Sequence, residues 1–168
     1  MLSERHFVLR DPAATKALGR VLGRHLRAGD LLALHGELGA GKTCLVRGLA
    51  EGLGVLDPEA VSSPTYLLVV EHPGPIPLIH MDAYLPAKLA GFLADGGLDY
   101  VTGQPAVVAV EWAERVPGLV GPMALRVELR AASAGREVTL RGDAVRFPWL
   151  AGLDESALMP EPSDPDAR

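Results

Sequence analysis

Residues Gly36–Thr43, with the sequence GELGAGKT, constrain the fold of this chain more than any other stretch. They match the pattern G-x-x-x-x-G-K-[ST], which forms a phosphate-binding loop between a β-strand and an α-helix. The chain contains only 3 lysines and 11 serines plus threonines, so a chance match has an expectation on the order of 10⁻³. The motif therefore predicts a strand before residue 36, a helix after residue 41 and a site for a nucleotide triphosphate.

The residues on both sides of the motif agree with this prediction. Leu31–His35 is an apolar run of strand length. After the motif, apolar residues recur at helical spacing as far as Leu53, and Gly54 is a typical helix stop. Lys42 can reach the outer phosphates, and the hydroxyl of Thr43 can bind the accompanying Mg²⁺. The residues expected to contact the nucleotide are Glu37, Leu38, Gly39, Ala40, Gly41, Lys42, Thr43 and Cys44.

Composition and charge are those of an ordinary globular protein. The chain has 168 residues, of which 48% are hydrophobic, and a formal net charge of −5, which does not indicate a nucleic-acid surface. We expect one domain over residues 1–153 and a disordered, proline-rich acidic tail over residues 154–168. The single cysteine, Cys44, excludes an intramolecular disulfide and a multi-cysteine metal site. No apolar run reaches membrane-spanning length, and the first six residues are too charged for a signal peptide, so we expect a cytoplasmic protein.

Periodicity predicts the remaining elements. Strands are expected at residues 6–10, 66–70, 77–81 and 106–110, a helix from Asp11 to about Arg27, a loop at 72–75, and a helix or irregular lid at 85–93. Beyond Pro122, two runs alternate apolar and polar residues around a hairpin loop at 131–135. The pattern predicts an α/β fold of the P-loop NTPase type. We expect a three-layer sandwich, in which helices cover both faces of a mostly parallel sheet that ends in an antiparallel C-terminal hairpin.

Two carboxylates follow buried-type strands and are candidate partners of the phosphate loop. Asp82 ends one run and Glu111 ends another, and Mg²⁺ bound with a nucleotide commonly takes a carboxylate ligand. The alternative for each is a solvated carboxylate at a strand end. Residues 62–66 (SSPTY) lie where nucleotide switches place a hydroxyl, and Thr65 is the candidate there. The alternative is a plain proline turn.

Taken in order, four elements resemble the TsaE family: GELGAGKT at 36–43, SPTY at 63–66, HMDAY at 80–84 and EWAE at 111–114. The resemblance covers about residues 7–142 and includes Gly135-Arg136-Glu137. It implies that Thr43 and Glu111 bind Mg²⁺, that Asp82 is a functional acid and metal-site residue, and that Thr65 belongs to a switch loop. It also places Arg136 among the nucleotide contacts. The family arginine after Asp-x-Tyr is missing, because Leu85 stands there, and residues 86–104 match poorly.

The resemblance implies a Mg²⁺-dependent ATPase with Lys42, Asp82, Glu111 and Thr65 as catalytic residues. Such a protein is required for threonylcarbamoyl modification of the adenosine beside the tRNA anticodon. It would work with TsaB and TsaD and contact tRNA at most indirectly. A small-molecule kinase is the first alternative, although residues 86–104 offer only Lys88 as a base. A non-catalytic nucleotide-binding subunit is the second.

Overall fold

The computed structural model describes residues 1–159, and residues 160–168 lie outside the described part. The strands are β1 (Leu2–Leu9), β2 (Leu31–His35), β3 (Val69–His72), β4 (Leu78–Asp82), β5 (Val107–Glu111), β6 (Leu125–Ala132) and β7 (Gly135–Asp143). The α-helices are α1 (Pro12–His25), α2 (Lys42–Leu53), α3 (Pro86–Ala94) and α4 (Gly97–Thr102). Short 3-10 helices lie at Pro58–Ala60, Ala113–Arg115, Pro148–Gly152 and Glu155–Leu158. Within the described residues, no helix has the length and apolar character needed to span a membrane.

The strands form a single sheet in the order β1-β7-β6-β2-β5-β4-β3. Its centre, from β6 through β2 and β5 to β4, is parallel. The hairpin of β6 and β7 is antiparallel, and β1 extends it as an antiparallel edge strand. On the opposite edge, β3 is antiparallel to β4. The predicted α/β fold with a mostly parallel core and an antiparallel C-terminal hairpin is confirmed.

Alternating side chains along the central strands face two separate hydrophobic cores. Leu32 and Leu34 of β2 belong to the core that also receives α1 and α2, whereas Ala33 between them belongs to the other core. That second core includes Leu89 of α3 and Val101 of α4. The sheet is therefore covered on both faces, which is why its central strands are apolar throughout.

Helices α1 and α2 touch through glycines at a four-residue spacing in each helix. A Cβ atom at Gly19 of α1 would lie 2.1 Å from the carbonyl oxygen of Leu45, and one at Gly48 of α2 would lie 1.9 Å from that of Lys16. At Gly23 and Gly52 the corresponding distances to backbone oxygens across the same interface are 2.4 Å and 2.2 Å. Only a residue without a side chain permits this approach. It fixes the position of α2, whose first two residues are Lys42 and Thr43.

Helix α1 begins as the sequence predicted. The side chain of Asp11 accepts a hydrogen bond from the backbone N–H of Ala14 at 2.8 Å, and Pro12 is the first helical residue. The helix ends at His25, two residues before the predicted limit. The segment predicted as a helix or irregular lid at residues 85–93 is helical from Pro86, since α3 occupies Pro86–Ala94.

The predicted strand at residues 66–70 is wrong in its first half. Residues 65–67 form a turn, the N–H of Leu68 donates to the carbonyl oxygen of Pro64, and Leu68 has a left-handed φ of 66°. Strand β3 begins only at Val69, and it continues to His72, where a loop was predicted. Tyr66 and Leu67 are 78% and 74% exposed, so their apolar character does not reflect burial.

Three further boundaries differ from prediction. The first strand starts at Leu2 instead of residue 6, because pairing with β7 extends it through residues that are exposed or only half-buried. The hairpin turn is shorter than predicted, since β6 ends at Ala132 and β7 begins at Gly135. Disorder was predicted from residue 154, but Glu155–Leu158 form a 3-10 helix, and Leu158 packs against the core beneath α1 and α2. The rest of the predicted tail, 160–168, lies outside the described residues.

Candidate nucleotide-binding site

The glycine loop (Gly36–Thr43) joins the end of β2 to the start of α2, as predicted. Gly41, directly before the helix, has a φ of 106°, which an L-amino acid with a side chain rarely adopts. Arg136 of β7 holds the loop from outside by donating hydrogen bonds to the carbonyl oxygens of Ala40 and Gly39, each at 3.0 Å. These carbonyls are thereby turned toward the guanidinium.

Lys42 is the buried cation of the loop, with only 5% of its surface exposed. Its Nζ donates to the carbonyl oxygen of Gly36 and, at 3.0 Å, to that of Glu37. It also lies 4.2 Å from the centre of the Trp112 ring, within cation–π distance. Burial lowers the pKa of the Lys42 ammonium, and the charge of Glu111 opposes this shift. The ammonium is held at the base of the loop by neutral groups.

Thr43 and Glu111 meet although 68 residues separate them in sequence. The Thr43 hydroxyl donates to Oε1 of Glu111 at 2.8 Å. Glu111 ends β5, which is the neighbour of β2 in the sheet, so the parallel register brings the end of β5 next to the loop that follows β2. Nε2 of His80 lies 2.9 Å from the same Oε1, and the His80 side chain is fully buried.

Asp82 pairs with Glu111 in the parallel register of β4 and β5. Its Oδ2 accepts hydrogen bonds from the hydroxyls of Ser63 at 2.8 Å and Thr65 at 3.1 Å. Its Oδ1 accepts the backbone N–H of Tyr84 at 2.9 Å. The two strand-end carboxylates therefore lie side by side and are not solvated: Asp82 is 2% and Glu111 3% exposed. The SPT segment contacts one of them directly.

The rings of Tyr84 and Trp112 pack at the end of the sheet where Asp82 and Glu111 lie. Trp112 follows Glu111 with a left-handed φ of 57°, a conformation that costs a bulky residue ~1–2 kcal/mol. This turn brings its ring over Lys42 and against Tyr84, with 5.0 Å between the two ring centroids. The guanidinium of Arg115 lies 5.1 Å from the Tyr84 ring and 5.2 Å from the Trp112 ring, and it donates to the carbonyl oxygen of Tyr84. The ring contacts offset the backbone strain.

A cleft of about 320 Å³ lies above the glycine loop. It is lined by Leu38, Gly39, Ala40, Gly41, Lys42, Thr43, Cys44, Ser63, Thr65, Asp82, Tyr84, Glu111 and Trp112. Every site residue predicted from the sequence lies in this lining except Glu37 and Arg136. Glu37 borders a neighbouring cavity of about 510 Å³, and Arg136 supports the loop.

No role was predicted from the sequence for His80, Ser63 or Tyr84, although all three lie inside the recognised elements. The alternation of side chains along β4 could have identified His80, because residues two apart share a face of a strand and Asp82 lies two positions later. Cys44, which the loop motif placed among the expected nucleotide contacts, is half-buried, and its Sγ donates to the carbonyl oxygen of Pro12 at 3.3 Å. Burial raises the pKa of its thiol.

A family model described as "Threonylcarbamoyl adenosine biosynthesis protein TsaE" matches residues 9–138. This chain belongs to the TsaE family. The match spans all four sequence elements and every residue of the cleft, so the family resemblance drawn from the motifs is confirmed.

Relatives that carry the TsaE name align with most of the chain. A tRNA threonylcarbamoyladenosine biosynthesis protein TsaE from Streptomyces coelicolor is 45% identical over 83% of this chain and 91% of its own length. The corresponding protein from Treponema pallidum is 40% identical over 79% of this chain and 97% of its own length. Among solved structures, the crystal structure of YdiB from Bacillus subtilis aligns with a TM-score of 0.72 and 29% identity, covering 90% of this chain and 94% of that one. The TsaE fold is thus present over nearly the whole described chain.

Proposed function

We propose that this protein is a Mg²⁺-dependent ATPase that acts in tRNA threonylcarbamoyladenosine biosynthesis together with TsaB and TsaD. Membership of the TsaE family supports the pathway. The contact between Thr43 and Glu111, 2.8 Å apart beneath the glycine loop, is the observation that carries the nucleotide chemistry. We expect the protein to act in the cytoplasm and to meet tRNA only through its partners.

The donor set fits Mg²⁺. The Thr43 hydroxyl and the Glu111 carboxylate are hard oxygen ligands next to each other, and the Asp82 carboxylate follows at the paired position of the neighbouring strand. Mg²⁺ is typically bound by one or two carboxylates together with substrate phosphates. Thr43 and Glu111 would hold the ion, and Asp82 would offer a further carboxylate beside Glu111. When bound, Mg²⁺ supplies positive charge that neutralises the phosphate oxygens during transfer.

The remaining residues bind and orient the substrates. The backbone N–H groups of the glycine loop and the first turn of α2 would bind the phosphates, and Lys42 would exchange its two carbonyl partners for an outer phosphate. Asp82 accepts hydroxyl hydrogen bonds from Ser63 and Thr65. A carboxylate so placed can orient the attacking water, with Thr65 responding to the terminal phosphate as a switch residue.

Slow hydrolysis by the isolated chain is part of this proposal. Among the residues lining the cleft, Lys42 is the only cation. Arg47 donates instead to the carbonyl oxygen of Val61 at 2.9 and 3.2 Å, Arg115 covers the Tyr84 and Trp112 rings, and Arg136 binds the loop from outside. An arginine supplied in trans is worth ~10³–10⁵ in the rate of phosphoryl transfer. We expect contact with the TsaB–TsaD pair to complete the site.

Steady-state release of phosphate from ATP, with and without the TsaB–TsaD pair, tests the proposal. We expect slow turnover alone and a large increase with the pair, together with a change of Trp112 fluorescence on nucleotide binding. Fast turnover that the pair leaves unchanged would contradict the dependence on partners. Nucleotide binding without hydrolysis under any condition would favour a non-catalytic subunit. Transfer of the phosphoryl group to a metabolite would favour the kinase alternative, for which Lys88 lies outside the cleft lining, near the Tyr66 ring.

A further inference from the structure

We propose that His80 is a positioning residue that fixes the Glu111 carboxylate for Mg²⁺ binding. The inference rests on the proposed function, because it assigns a role toward the metal of that site. His80 does not line the cleft and would touch neither nucleotide nor metal. Its action would pass entirely through Glu111.

Both side-chain hydrogen bonds to Glu111 reach the same carboxylate oxygen, Oε1. Oε1 accepts one hydrogen bond from Nε2 of His80 at 2.9 Å and one from the Thr43 hydroxyl at 2.8 Å. No side chain or backbone N–H among residues 1–159 donates to Oε2. Because an ionised carboxylate can only accept, His80 must donate from Nε2. Two donors on Oε1 set the rotation of the carboxylate and leave Oε2 available for a further ligand.

His80 occupies a position where an apolar side chain would otherwise be expected. It is fully buried in β4, and its Nδ1 makes no hydrogen bond with the described residues. A buried nitrogen without a partner costs free energy that leucine or valine would avoid. The Nε2 donor is therefore the property that distinguishes histidine at this position. Metal-binding carboxylates are commonly held by hydrogen bonds from residues that do not touch the metal. Loss of such a residue typically lowers metal affinity 10–100-fold.

The Thr43 donor cannot replace His80. The Thr43 oxygen is itself a candidate ligand of the ion, whereas His80 approaches Glu111 from the adjacent strand. His80 pairs with Ala109 in the parallel register, two residues before Glu111, and its side chain reaches forward along the sheet to the carboxylate. The sheet thus supplies a fixed support for Glu111 that does not depend on the loop.

The test compares His80→Gln with His80→Asn. Glutamine places its amide nitrogen near the position of Nε2, whereas asparagine reaches only about as far as Nδ1. Mn²⁺ binding to the ADP complex is measured by electron paramagnetic resonance, and the Mg²⁺ midpoint is measured by titration in the same complex. We expect the asparagine variant to bind either ion ~10–100-fold more weakly and the glutamine variant to remain close to wild type. ADP affinity in the presence of a chelator should stay within about threefold in both.

His72→Asn is the matched control. His72 lies on the neighbouring strand, is also buried, and has its ring centroid 6.5 Å from that of His80. Among the described residues it forms no hydrogen bond with Glu111, whose histidine partner is His80. His72→Asn should leave Mn²⁺ and Mg²⁺ affinity unchanged. Equal metal affinity in the glutamine and asparagine variants, or an equal loss in the His72 control, would overturn the proposal. A loss of ADP affinity without metal would do the same, since it would show a purely structural role.

A measurement on the unaltered protein covers the case in which the asparagine variant does not fold. The ¹⁵N resonance of His80 Nε2 should shift when Mg²⁺ is added to the ADP complex, while that of His72 should not. An unshifted His80 resonance would overturn the proposal. Failure of the wild-type protein to bind Mg²⁺ with nucleotide would instead refute the proposed function, so the two failures are distinguishable.

Discussion

Replacing Gly48 by alanine should destabilise the protein, although alanine is the better helix former. In an unobstructed helix the change stabilises by about 1 kcal/mol. At Gly48, however, the new Cβ would lie 1.9 Å from the carbonyl oxygen of Lys16 and 2.8 Å from the carbonyl carbon of the same residue. These are backbone atoms of α1, so no side-chain rotation relieves the contact, and the helices must separate. Overpacking of this severity costs about 3 kcal/mol, which leaves a net loss of about 2 kcal/mol.

Gly91→Ala provides the matched control. Gly91 lies in the exposed helix α3, and a Cβ there would meet nothing within 4 Å. The same substitution should therefore stabilise by about 0.5–1 kcal/mol. Urea unfolding followed by circular dichroism measures both changes as shifts of the midpoint at constant slope. For Gly48→Ala we expect a melting temperature about 4–8 °C lower.

Wild-type stability of Gly48→Ala, or an equal loss of stability in Gly91→Ala, would refute the predicted clash between the two helices. A functional consequence accompanies the first variant, because α2 carries Lys42 and Thr43 at its start. Displacement of α2 should weaken ADP binding in Gly48→Ala and leave it unchanged in Gly91→Ala.

Three further predictions concern single side chains. Lys42→Ala should abolish ATP hydrolysis while circular dichroism remains native, and wild-type turnover in this variant would contradict the assignment of the glycine loop. Glu111→Gln should raise the Mg²⁺ requirement steeply, whereas Asp82→Asn should lower turnover more than metal affinity; Mg²⁺ titrations giving the reverse pattern would exchange the two roles. Burial, with a smaller effect of His80, lowers the pKa of His72 below its ordinary value of 6.5. As the pH falls below 6.5, His72 takes up a proton in the unfolded chain more readily than in the folded one. The free energy of unfolding should therefore fall on acidification. The fall in unfolding free energy from about pH 7 to about pH 5 should be smaller in His72→Asn, and an equal fall would contradict this.

The elements that the sequence predicted correctly carry local signals. Asp11 and Pro12 mark the start of α1 within adjacent residues, and the glycine loop is encoded by eight consecutive positions. Apolar runs ending in Asp82 and Glu111 identified the strand ends, and parallel pairing then brings such ends to one edge of the sheet. Each of these inferences depends on neighbours in sequence or on a general rule of parallel sheets.

The predictions that failed involve backbone conformations set by distant residues. The run from Tyr66 to Val70 is apolar enough for a strand, but Leu68 turns into the left-handed region and leaves Tyr66 exposed. The first strand extends back to Leu2 only because β7, more than a hundred residues later, offers a partner along its whole length. Neither outcome has a local signal, because exposed edge strands and irregular turns take their conformation from the elements beside them.

The sequence by itself determined which chemical groups this protein has at its site: the glycine loop, Lys42, the Thr43 hydroxyl and two strand-end carboxylates. Tertiary structure decided how they are connected. His80 donates to a carboxylate 31 residues away, and Lys42 lies against the Trp112 ring. These contacts depend on strand register and on the close approach of α1 and α2. Both are set by packing between segments far apart in sequence, which local conformational preference does not encode.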